Sequence, residues 1–196
     1  MVEAKIRLSP PEQKQLPPKF LEMLSNPKFK RALDIAAKHT HRTGHETAFT
    51  VFSVPGSPCW IDDVRSGNTD SMEYSQELTE MDGYPDCTLP GVHPFFNFHF
   101  HPAEDIVATP SAKDISYFGT GDLSEMAEYL GVGEIYDDGR ISILVVERPK
   151  YKVYGYDMVL YDEQSDYINN YEDLQRFLGA IGLNSFVVEF TPQPSP

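Results

Sequence analysis

Cysteine is scarce in this chain: Cys59 and Cys87 are the only two among 196 residues, and no CxxC spacing occurs. That excludes a disulfide scaffold, and both thiols are expected to be free and reduced. Positive charge is also short. Lys and Arg number 16 against 30 Asp and Glu, for a net charge of −14. A surface of that sign repels phosphate backbones and anionic lipid, so neither a nucleic-acid nor a membrane-surface partner is expected, and a basic protein or peptide would be attracted instead. Long apolar runs are missing. No segment suffices to cross a bilayer, and Met1 to Pro10 lacks the apolar stretch of a signal peptide, so the expected address is the cytoplasm. No internal repeat is visible.

What remains is ordinary globular material, 40% hydrophobic and 23% charged. The length suits one domain with a sizeable core and a small appendage. Ser9 to Pro18, rich in Pro, Gln and Lys, reads as an extended arm. Asn26-Pro27 opens a helix whose stripe Phe29, Ala32, Leu33 and Ala36 repeats at i, i+3, i+4, i+7, ending near Lys38. His39, His41 and His45 follow around Gly44. Their run is polar and irregularly spaced, and is read as a loop rather than as a metal site.

Thr47 to Val54 is β-branched and aromatic and predicts a strand. Pro55-Gly56-Ser57-Pro58 is a turn, and Trp60 to Val64 a second strand of the same hairpin. Residues 66–92 form a polar insertion, either a substrate-binding loop or a surface excursion. Asp122-Leu123-Ser124-Glu125 resembles a capping box, and Leu123, Met126, Ala127 and Leu130 give a helical stripe stopped by Gly131. Asp137-Asp138-Gly139 is a hairpin turn leading into a strand over Ile141 to Val146 that is apolar on both faces. Tyr151 to Tyr161 predicts a neighbouring strand. Asn170 caps a last helix with stripe Leu174, Phe177, Leu178 and Ile181, closed by Gly182, before a strand over Phe186 to Phe190 and a disordered tail.

The most informative run is Phe95-Phe96-Asn97-Phe98-His99-Phe100-His101-Pro102. A strand alternates its faces, so Phe96, Phe98 and Phe100 share one side while Asn97, His99 and His101 share the other. Two imidazoles then stand one strand step apart at the point where Pro102 ends the ladder. Downstream, Thr109-Pro110 reads as a helix start that puts Ser111 and Asp114 on one face of its first turn. Two histidines and a carboxylate form a three-donor set for zinc with a fourth position left to water, here His99, His101 and Asp114. Asp105 is the rival carboxylate, lacking the Ser partner and the helix start. Asn97, on the histidine face, reads either as a buried amide or as a group orienting an imidazole. The rival reading of the histidine pair is two core imidazoles satisfied by hydrogen bonds.

A glutamate opening an early strand, then His-x-His-Pro, then Ser-x-x-Asp on a helix, resembles the JAMM (MPN+) zinc metalloproteases. The element order over Pro27 to Tyr161 is similar, although the connection from His101 to Ser111 is longer than the usual family pattern. The resemblance implies an α/β (α+β) fold, a mixed sheet sandwiched by helices of the cytidine-deaminase-like type. Its organisation would be an N-terminal arm over 1–26, the catalytic domain over 27–161 and a C-terminal helix–strand appendage over 162–196. It implies zinc on His99, His101 and Asp114, Glu46 activating water, and Ser111 supporting the oxyanion. Glu73 and Glu77 are the fallback candidates for the glutamate.

The implied activity is cleavage of a peptide or isopeptide bond, such as one at the tail of a ubiquitin-like protein. Hydrolysis of a small amide or of a carrier-protein thiocarboxylate adduct is a second enzymatic reading. A catalytically silent MPN-type binding scaffold is the rival of another class. A zinc deaminase is disfavoured because no PCxxC follows the His/Glu element.

Overall fold

The computed structural model describes residues 2–7, 16–68, 76–102, 127–148 and 170–192. Among the described residues, nine strands form one mixed sheet in the order β1-β9-β8-β7-β6-β2-β4-β5, with β3 paired to β2 off that path. They are β1 (Val2–Arg7), β2 (Thr47–Val54), β3 (Ser57–Ile61), β4 (Val64–Ser66), β5 (Gln76–Thr79), β6 (His93–Phe100), β7 (Tyr129–Ile135), β8 (Ile141–Glu147) and β9 (Ser185–Pro192). The helices among the described residues are α1 (Pro18–Ser25), α2 (Pro27–Thr43) and α3 (Tyr171–Ala180). Only β6 and β7 run parallel; every other described pairing is antiparallel. The class is α+β, as the mixture of periodicities implied.

The alternation in β6 does the sorting. Phe96, Phe98 and Phe100 are at most 2% exposed and join α1 and α2 in the larger core. Phe20 of α1 sits among Phe95, Phe96, Tyr129 and Phe186 with ring centres 4.8–6.3 Å apart. The opposite face carries the smaller core, where Leu130, Leu144, Val146 and Val187 meet Leu174 and Leu178 of α3. Helices therefore cover both faces, and the histidine side of β6 shares its face with α3.

Several elements follow their sequence signals. Asn26 caps α2 by accepting from Lys28 N, with Pro27 in the first turn. Asn170 likewise caps α3 by accepting from Asp173 N. The turn through Asp137 to Gly139 joins β7 to β8, with Gly139 at φ 79°.

Others are corrected. Val2–Arg7, inside the stretch read as an arm, is an edge strand paired with β9, and Pro18–Ser25 is a helix. Helix α2 runs to Thr43, so His39 and His41 are helical, not loop; the stop is Gly44 at φ 68°. The second hairpin strand divides at Asp62-Asp63 into β3 and β4. Strand β9 continues through Thr191 and Pro192, which were assigned to the tail.

The largest correction is at Leu130 and Gly131. The stripe ending there is not a helix end: Tyr129–Ile135 is β7, and Gly131 lies within it. A Cβ on Gly131 would lie 2.3 Å from Phe96 Cζ, and one on Gly133 would lie 2.7 Å from Phe98 Cζ. These glycines leave room for the rings of β6, a demand made by a neighbouring strand and invisible to helical periodicity. The proposed strand over Tyr151 to Tyr161 and the helix start at Thr109-Pro110 lie outside the described residues.

Candidate metal centre

Strand β6 brings its histidines to one end of the sheet. Across the antiparallel ladder Thr47 faces Phe100, Ala48 faces His99 and Thr50 faces Asn97. One step further along the same register, Glu46 stands opposite His101. The two imidazole centres lie 4.8 Å apart with planes inclined by 44°. An ion about 2.0–2.1 Å from a ring nitrogen is roughly 3.2 Å from the ring centre, so rings sharing one near the tetrahedral angle have centres about 5 Å apart. The observed spacing fits two nitrogen donors on one ion.

Glu46 completes what the described residues contribute. Its Oε1 is 3.9 Å from His101 Nε2, and the two side chains are only 14% and 22% exposed. That exceeds a direct hydrogen bond, so the carboxylate stands off the ring, within reach of a small molecule between them. Its backbone is clamped on both sides: Glu46 N donates to Asn68 O at 2.8 Å, and Gly67 N donates to Glu46 O at 2.9 Å. The next residue, Thr47, is fully buried and anchored to α2, its hydroxyl 2.8 Å from Thr40 Oγ1 and 3.2 Å from Ala36 O. The start of β2 is thus fixed by the insertion on one side and by the helix on the other.

The insertion divides in function. Its first residues hold Glu46, as above. Its end, from Asp82 to Gly91, is tied instead near β3 and the beginning of β6. Trp60 Nε1 donates to Gly83 O at 2.7 Å, and Asp82 Oδ2 accepts from Ile61 N at 3.0 Å. His93 and His101 are eight strand steps apart, about 26 Å, so that part does not cover the histidines.

The sequence-derived residues fare unequally. His99, His101 and Glu46 come together. Asn97 Oδ1 accepts from Thr50 Oγ1 at 3.0 Å, so this oxygen serves the β2–β6 ladder. Glu77 is exposed on β5, with β2 and β4 between it and β6, and is not a substitute for Glu46. Ser111, Asp114, Asp105 and Glu73 lie outside the described residues. Among the described residues no three of His, Cys, Asp or Glu converge to hold an ion. Two imidazoles at this spacing are two of the donors that a zinc site needs. His39, His41 and His45 belong to the α2 side, on the other face of the sheet.

One carboxylate escaped the sequence reading. Glu134 of β7 is 6% exposed and, continuing the parallel register of His99 with Val132, stands beside His101 on the same face. Burial first, with Ser142 opposing and the nearby Glu134 carboxylate adding to it, raises the Tyr136 phenol above its ordinary pKa. The sequence signal for it is the alternation along Leu130, Val132 and Glu134, which lies beyond the helical stripe that ends at Gly131. Glu46 and His101, each one residue beyond β2 and β6, continue the ladder registers in one polar row with Glu134 of β7 and Ser142 of β8.

No helix among the described residues is long and apolar enough to cross a membrane. Compared with known proteins, the chain matches no family model, no curated protein and no solved structure.

Proposed function

We propose that the chain is a zinc-dependent hydrolase of the JAMM type that cleaves a peptide or isopeptide bond, such as one at the tail of a ubiquitin-like protein. The single observation that carries this reading is the convergence of His99 and His101 with the Glu46 carboxylate at the mouth of the β2–β6 ladder. His99, His101 and Asp114 would hold the ion. Bound zinc would lower the pKa of water toward about 7 and polarise the scissile carbonyl.

The rest is the work of the chain's own groups. Glu46 is held by its backbone on a strand end, so its carboxylate is preorganised to accept a proton from the attacking water. Water oxygen adds to the carbonyl carbon, the C–N bond breaks, and the proton held on Glu46 passes to the departing nitrogen. Ser111 would donate a hydrogen bond to the oxygen that becomes negative during addition. The row-mate Glu134 adds negative potential beside His101, favouring retention of a cation there.

Metal analysis and one variant test the proposal. The purified protein should hold zinc in stoichiometric amount and lose it in His99→Ala. Glu46→Gln should keep the zinc while hydrolysis of isopeptide-linked and linear ubiquitin-like fusions falls by about 10²–10⁴-fold. Equal turnover in wild type and Glu46→Gln would remove Glu46 from the chemistry. A wild-type protein that takes no zinc would leave a binding scaffold in place of an enzyme.

A further inference from the structure

The histidines around Gly44 acquire a meaning that their spacing did not suggest. His39 lies in the last turns of α2, and Gly44, at φ 68°, turns the chain back beyond the helix end. Thr43 pins that turn, its hydroxyl donating to His39 O at 2.8 Å and accepting from His45 N at 3.2 Å. The rings of His39 and His45 consequently face one another with centres 6.4 Å apart and planes inclined by 56°. Two rings on one ion have centres about 5 Å apart at a tetrahedral angle and up to about 6.5 Å apart when the ion lies directly between them. The observed spacing lies at the upper end of that range.

The electrostatics are mixed. The final carbonyls of α2 place the negative end of its dipole at this turn, which suits a cation. Arg42 opposes that, as does Lys38, which is itself paired with Asp34 at 2.7 Å. Burial, then Arg42 and His45, hold the His39 imidazole below its ordinary pKa.

We propose that His39 and His45 form a second imidazole pair that takes a divalent transition-metal ion, Cu2+ ahead of Zn2+, on the opposite side of the sheet from His99 and His101. The preference follows the general order of affinity of nitrogen sites for first-row metals. Water fills the remaining coordination positions. The site is independent of the hydrolase reading and stands or falls separately from it.

Titration of the full chain with CuCl2, followed by calorimetry and by paramagnetic broadening of amide resonances, decides the matter. A binding event should broaden the amides of Thr40 to Glu46. His39→Ala and His45→Ala should each abolish it, while His41→Ala and His99→Ala should leave it intact. Absence of broadening at Thr40 to Glu46 in the wild type, or persistence of the event in either His39→Ala or His45→Ala, overturns the proposal. Zinc held at the strand pair is recognised by its loss in His99→Ala alone, so the two sites cannot be confused.

Discussion

Replacing Gly133 with alanine would place a methyl carbon 2.7 Å from Phe98 Cζ, 2.8 Å from Phe100 Cε1 and 2.9 Å from Phe100 Cδ1. Ordinary contact begins near 3.4 Å, so the closest ring must withdraw by 3.4 − 2.7 = 0.7 Å. It has little room to do so. Phe98 is 2% exposed and Phe100 is fully buried. Around Phe98 stand Phe49, Phe96 and Phe100, with ring centres at 5.0, 5.8 and 4.8 Å.

Overpacking of this kind costs about 1–3 kcal/mol, and the reduced freedom of the unfolded chain returns about 0.4–1 kcal/mol, for a net loss of about 1–2 kcal/mol. For a domain of this size the melting temperature should fall by about 2–8 °C. Urea unfolding should show a lower midpoint with an unchanged slope. Gly179→Ala serves as the control: it is helical, with nothing within 4 Å of the added carbon, and should be neutral or stabilising by up to about 1 kcal/mol. A helix ending at Gly131 would give Gly133 no packing role. If Gly133→Ala is as harmless as Gly179→Ala, β7 does not lie beside the phenylalanine ladder, and the histidine strand has been given the wrong neighbour.

Two further outcomes are expected. Thr47→Val removes the hydroxyl shared with Thr40 and Ala36 inside the core and should cost about 1–3 kcal/mol by urea unfolding; the Thr40→Val, Thr47→Val pair should cost less than the sum of its members, because no buried hydroxyl is then stranded. Cys87 is exposed and should react with a thiol reagent in the native protein, whereas buried Cys59 should react only after unfolding. Burial, reinforced by Asp82, pushes the Cys59 thiol from its ordinary 9.0 up to about 12. Its contribution to stability is therefore complete below pH 9 and is lost as the pH rises toward about 12; a fluorescence melt insensitive to Cys59→Ala across that window would refute the assignment.

The sequence by itself determined the features governed by near neighbours along the chain. Asn26 and Asn170 announce their helices because a short polar side chain can satisfy amides only two or three residues ahead. The Phe/His alternation of β6 announces two faces, since a strand reverses its side chains at every step. That alternation alone brought His99 and His101 together, and the position of Glu46 at a strand opening made it a candidate.

Tertiary structure decided what depends on distant partners. Gly131 and Gly133 are strand residues because the rings of Phe96, Phe98 and Phe100 need the space a side chain would take. Val2–Arg7 is a strand because β9 offers it an edge. Glu134 joins the polar row because β7 lies parallel to β6, and His39 meets His45 because Gly44 reverses the chain. Local chemistry writes caps, turns and alternation into a sequence; which strand lies beside which is settled only by long-range packing.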